Sequence, residues 1–238
     1  MRLFGIDGCR AGWIVAEADL DLTVCAFHLV RDLSAWMSTL DPHRALIAID
    51  VPIGLANAAP RDCDQQARQR LGVPRHSSVF SAPCRGTLEA SDYAGACLAN
   101  RALRGKALSR QLWGIMPKIQ SVDRLLAELP ALADHVWEAH PEVTFADLAG
   151  SPAGLAAGKA TPTGEAVRRT LLSAHGLQVD PVAVRASIGL AFARRDDILD
   201  AAACLLTAKH LADETARLYP PALPASRDSV GRRMVIAS

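Results

Sequence analysis

The sequence predicts an α/β domain built on a mixed sheet: a three-stranded antiparallel meander continued by parallel strands and flanked by helices. Three observations predict it. Residues 2–30 hold three short apolar runs, separated by turns too short for a parallel crossover. ALIAIDVP at 45–52 is almost wholly apolar up to Asp50, as in a strand covered on both faces. Helical periodicity separates that run from the meander and returns after residue 140.

In chain order, RLFGID (2–7) reads as a first strand ending in an acid, with Gly8-Cys9-Arg10-Ala11-Gly12 as its turn. WIVAEAD returns as a second strand. After the turn Asp19-Leu20-Asp21, LTVCAFHLV (22–30), rich in β-branched and aromatic residues, forms the third. DLSAWMSTL (32–40) sets Leu33, Trp36, Met37 and Leu40 at helical spacing and makes the crossover to the central strand, which Pro52 and Gly54 stop. From about residue 55 to 130 the alternation gives way to a mainly helical insertion of two to four helices, punctuated by Pro60, Gly72, Pro74, Pro83, Gly86 and Gly105. Its last helix starts near Ser109 and turns Ile115, Ile119, Val122, Leu126 and Leu129 inward, with Pro117 marking an expected kink.

HVWEAHP (135–141) is again strand-like, and helices follow near 143–149, 163–174 and 181–190. A final helix opens near Arg194 and runs through DDILDAAACLLTAKHLA. One domain is therefore expected over residues 1–218. Residues 219–238, with three prolines, are expected to lie loosely on the surface.

Composition narrows the class. Half of the 238 residues are apolar and aromatics make up only 5%, so aliphatic side chains must supply the core. The N-terminus shows no basic stretch followed by an apolar one, and no run reaches the ~18–20 apolar residues of a membrane span. The six cysteines are scattered, without a CxxC pair or zinc-site spacing, which predicts reduced thiols and a cytoplasmic protein. Net charge is +1 but unevenly spread: residues 60–124 carry eleven Lys/Arg against five acids, a local +6, and the remainder sums to −5. A basic segment beside an acidic remainder suits a protein that holds metal in one part and grips phosphate in another.

The acids that matter are placed by their elements. Asp7 ends the first strand, Asp50 ends the central one, Glu138 lies in the late strand, and Asp197 and Asp200 are one turn apart on the last helix. Each has a plainer reading alone. Asp7 can be a turn residue, Asp50 a strand-end cap, and Asp196 and Asp197 can serve a helix N-terminus. Brought together they would repel one another unless a cation joined them. Two Mg²⁺ or Mn²⁺ ions roughly 3.5–4 Å apart, bridged by a shared Asp, would meet that electrostatic need and supply phosphoryl-transfer chemistry.

Seven segments carry a family resemblance: GIDGCRAGW at 5–13, AIDVPIGL at 48–55, RDCDQQAR at 61–68, RHSSVF at 75–80, GKALSRQLWGIMPKI at 105–119, EAHPEVTF at 138–145 and DDILDA at 196–201. In this order, across about residues 3–205, the chain resembles the DUF429 family of predicted ribonuclease H-like nucleases. The resemblance implies a ribonuclease H-like core in which Asp7 bridges two metals, Asp50 or Glu138 holds one, and Asp197 with Asp200 completes the site. Asp-x-x-Asp-Ala at 197–201 is similar to the terminal helix of Holliday-junction resolvases of that superfamily.

Supporting roles are expected of His140, as general acid or orienter of the attacking water, with Glu142 and Asp196 as further candidates for the site. Arg75, Ser77 and Ser78 offer a guanidinium, hydroxyls and turn amides to phosphate, and Arg10, Lys106 and Lys159 are additional phosphate contacts. The leading expectation is thus a Mg²⁺- or Mn²⁺-dependent nuclease acting on nucleic acid or a nucleotide phosphate. The alternative is a non-catalytic nucleic-acid or nucleotide-binding module on the same fold. An ATP-binding protein of the actin and sugar-kinase type ranks third, since the chain has no internal duplication and no second glycine-rich phosphate loop.

Overall fold

A computed structural model of the protein describes residues 1–221 and 224–238. The three expected runs form β1 (Arg2–Cys9), β2 (Gly12–Asp19) and β3 (Cys25–Val30), each antiparallel to the next. A short helix α1 (Leu33–Met37) leads to β4 (Ala45–Ile49), which lies parallel to β1 with Ile6 opposite Ile49. The insertion follows as α2 (Asp62–Arg75), α3 (Tyr93–Arg104) and α4 (Arg110–Glu128). Gly72, at φ 59°, breaks α2 before its end, and Ser109 caps α4 by accepting from the Leu112 amide. The kink expected at Pro117 does not divide α4, which runs through it as one helix with Pro117 exposed.

A single turn, α5 (Pro130–Ala133), precedes β5 (Val136–Ala139), which pairs parallel with β4. Then come α6 (Pro141–Leu148), α7 (Pro162–Ala174), α8 (Pro181–Ile188) and α9 (Arg195–Ala212). The last strands are β6 (Leu218–Tyr219) and β7 (Ile236–Ala237). The described residues form a mixed seven-stranded sheet ordered β3-β2-β1-β4-β5-β7-β6, with helices on both faces.

The C-terminal segment is a correction. Residues 222 and 223 lie outside the described residues, but the end of the chain does not lie loosely: β7 inserts between β5 and β6, with Val235, Ile236 and Ala237 buried. Without it β5 would present an unpaired edge, and this apolar run satisfies that edge. Asp228 fastens the returning chain to the insertion, accepting from the Leu55 amide (2.8 Å) and from Arg85 (2.5 Å).

Strand alternation sorts the core into two layers. Phe4, Ile6, Val15, Ile47, Ile49 and Val136 face α1 and α4. Leu3, Ile14, Ala16, Ala48 and Ala139 face α9, whose residues Ile198 to Ala208 are buried all round. Burying each of Ile198, Leu199, Leu205 and Leu206 contributes about 1.5–3 kcal/mol. The closest approach is at Gly5, where a Cβ would stand 2.0 Å from Leu205 N and 2.2 Å from Ala201 O. Asp7 follows two residues on and so shares that face, while Asp200 immediately precedes Ala201. The glycine contact therefore delivers both carboxylates to one place.

No helix among the described residues is long and apolar enough to cross a membrane. All six cysteines are free thiols.

Candidate functional site

β1 and β4 end side by side, and the Asp50 amide donates to Ile6 O at 2.9 Å, so Asp7 and Asp50 emerge at the same sheet edge. α9 adds Asp200, and the start of α6 adds His140 and Glu142. These five side chains and Lys159 line one cavity of about 420 Å³.

The electrostatics are those of acids crowded together out of water. Burial, then Asp200 and Asp50, hold the Asp7 carboxyl well above its usual range, with Lys159 opposing. Asp50 is raised by burial, partly offset by His140 and Lys159. Asp200, only 2% exposed, is pushed up to about 6 by burial although Lys159 Nζ lies 2.5 Å from its Oδ2.

Four buried polar atoms of side chains lining this cavity lack hydrogen-bond partners among the described residues: Asp200 Oδ1, Glu142 Oε2, His140 Nδ1 and Arg61 Nε. His140 Nε2 sits 3.2 Å from Ser78 O, a carbonyl that can only accept, so Nε2 donates there. Of these, Asp200 Oδ1 and Glu142 Oε2 are carboxylate oxygens, and a buried acceptor without a donor costs about 1–3 kcal/mol. Carboxylate oxygens with one imidazole are a donor set that could hold Mg²⁺ or Mn²⁺. As the side chains stand, no three His, Cys, Asp or Glu groups among the described residues converge closely enough to ligate an ion. Lys159 supplies the positive charge instead.

The supporting groups have definite tasks. Arg168 is fully buried, donates to Glu142 Oε1 (2.6 Å), and also reaches Ala157 O (3.2 Å) and Gly164 O (3.1 Å). It thereby fixes both Glu142 and the loop that carries Lys159. Arg75 lines the cavity, but its Nε and Nη2 donate to Leu155 O and Ala156 O (2.7 and 2.6 Å), holding the other side of the same loop. Ser78 contributes its carbonyl to His140. Ser77 and Lys106 fall in an adjoining cleft, and Arg10 lies exposed in another.

Two acids are placed otherwise than the sequence suggested. Glu138 lines the same cavity, but it pairs in register with Ile49 and so approaches from the other face of the sheet than Asp7 and Asp50. Both its oxygens take Arg61 (2.7 and 2.8 Å), and Oε2 also accepts the Ile53 amide (2.7 Å), so its charge is already paired. Asp197 is half-buried at the rim, where it accepts from Arg194 N at 2.8 Å as a helix cap and lines the cleft of Arg10. Its neighbour Asp196 lines neither cleft and lies near Arg194 (3.9 Å).

A family model described as "Protein of unknown function (DUF429)" matches residues 5–224. The chain belongs to the DUF429 family. No curated protein and no solved structure matches it. The DUF429 match runs from β1 past α9 and includes Asp7, Asp50, His140, Glu142, Lys159 and Asp200.

Sequence reasoning missed three cations of this DUF429 chain. Arg61 is buried among Asp64, Glu138 and the carbonyls of Ile53 and Gly54. Lys118 fills the space that the absent side chain of Gly8 leaves and donates to Gly12 O (2.6 Å), pinning α4 to the β1–β2 turn. Arg168 is the third. Arg61 and Lys118 stand within the quoted motifs, but Glu138 is 77 residues from Arg61 and Gly12 is 106 from Lys118. No local pattern announces them.

Proposed function

We propose that this DUF429 chain is a divalent-metal-dependent phosphodiesterase on a ribonuclease H-like fold, acting on nucleic acid. The observation that carries the reading is the set of unpartnered buried polar atoms, Asp200 Oδ1, Glu142 Oε2 and His140 Nδ1, on side chains that line the same cavity as Asp7 and Asp50. The fold reading is supported by the strand order β3-β2-β1-β4-β5, its antiparallel meander, and a terminal helix packed on β1.

In this reading Asp7, Asp50, Asp200 and Glu142 hold Mg²⁺ or Mn²⁺. When bound, the ion supplies Lewis-acid polarisation of the phosphate and a water of lowered pKa. His140 Nδ1 accepts a proton from the attacking water while Ser78 O keeps the ring in the required tautomer. Lys159, released from Asp200, offers its ammonium to a phosphate oxygen. Arg168 maintains the direction of Glu142. Glu138 is not a ligand in this scheme.

The test is Mn²⁺-dependent cleavage of end-labelled single- and double-stranded oligonucleotides. Asp7→Asn is expected to lower the rate by about 10³-fold or more, with the variant folded by circular dichroism. Cleavage at the wild-type rate in that variant would reject the assignment. The Lys159–Asp200 ion pair favours a second reading, a binding module whose acids are neutralised from within. Oligonucleotide binding without Mn²⁺-dependent turnover in the wild type would select it.

A further inference from the structure

Beside the acidic cavity lies a second cleft of about 300 Å³, walled by the insertion. The two share Val79 and Phe80, so they adjoin along one short segment of chain. Their chemistry is opposite. The second is lined by Arg68, Arg104, Lys106, Ser77, Ser81 and Gln111, and no acid is among its described lining residues.

The two guanidiniums are held but not used up. Arg68 donates one N–H to Val79 O (3.0 Å) and Arg104 one to Ala82 O (2.8 Å), which fixes the shared segment against α2 and α3. Each guanidinium has five N–H donors, so most remain. Lys106 is exposed, and its ammonium has no ion pair or hydrogen bond among the described residues. Three cations held on one side of a concave wall, with hydroxyls and an amide between them, form a polyanion site. The half-buried Phe80, packed against the core, lines both cavities at their junction, and a basic groove with an aromatic beside it is the pattern by which single strands are gripped.

We propose that this cleft binds the sugar-phosphate backbone of a single-stranded polynucleotide next to the position cleaved. The inference rests on the phosphodiesterase reading for the register of the strand, though not for its being bound. The scissile phosphate lies over the acids and the neighbouring phosphates lie against Arg68, Arg104 and Lys106. Three of the eleven Lys/Arg of residues 60–124 meet in this cleft.

The test uses the full chain, a fluorescein-labelled 12-nucleotide single strand, and EDTA, so that binding is read by anisotropy apart from metal and turnover. Lys106→Glu is expected to weaken binding about 10-fold, and Lys106→Ala to lower the steepness of log K against log salt by about one contact. Lys106→Glu together with Gln111→Glu is expected to weaken binding further; both positions are exposed, so folding is kept. Unchanged binding in these variants, or no binding by the wild type, overturns the proposal. Tighter binding of a duplex than of the single strand overturns it too. Loss of binding in the variants when the wild type cleaves nothing keeps this cleft and removes the phosphodiesterase reading, while unchanged binding with intact cleavage does the reverse.

Discussion

Arg61→Met is expected to destabilise the protein by about 3–5 kcal/mol, the penalty for removing one partner from a buried ion pair. Arg61, Asp64 and Glu138 are all at least 95% buried and together form a charged triad in the sheet's insertion-facing layer. Methionine keeps much of the volume, so packing loss is secondary and two unpaired carboxylates are the main effect. The loop after β4 suffers as well, because Ile53 O and Gly54 O lose their donor (2.8 and 3.1 Å). Guanidinium chloride unfolding checks the magnitude. Neutralising all three, Arg61→Met with Asp64→Asn and Glu138→Gln, is expected to recover a large part of the loss. A single variant as stable as wild type would show that the triad is not a buried charge network.

Gly5→Ala is expected to be as severe, about 3 kcal/mol or more, at the upper end for overpacking. The atoms a methyl would meet, Leu205 N and Ala201 O, belong to the α9 backbone and cannot swing aside. The helix and β1 must separate, which loosens the α9-facing core and draws Asp200 away from Asp7. Gly114→Ala is the internal control: it is a helical glycine with nothing within 4 Å of the added carbon, and is expected to stabilise by about 0.5–1 kcal/mol. Equal stability of Gly5→Ala and wild type would contradict the close β1–α9 contact that builds the site.

How far the site can be read from sequence follows from periodicity. Asp7 and Asp50 are legible because each terminates an apolar run, and parallel pairing of those runs sets the two ends together. Asp200 is legible because a carboxylate inside an otherwise apolar helix needs a reason. Glu138 reaches the cavity too, but by parity its register opposite Ile49 brings it in from the other face, paired with Arg61. Glu142, four residues later at the start of α6, lines the cavity beside it. Asp197 reads two ways from sequence, and the cap geometry decides for the helix terminus. The prolines of residues 219–238 obscure the short run Val235-Ile236-Ala237, whose strand character depends on a β5 edge that only the tertiary arrangement creates.

The central claim, that Asp7, Asp50, Glu142 and Asp200 together hold a divalent cation, is tested most directly by anomalous diffraction from crystals soaked in millimolar Mn²⁺. It predicts anomalous density enclosed by these four carboxylates, with Lys159 Nζ moved off Asp200. No density there, with the four acids ordered and Lys159 still on Asp200, would contradict it.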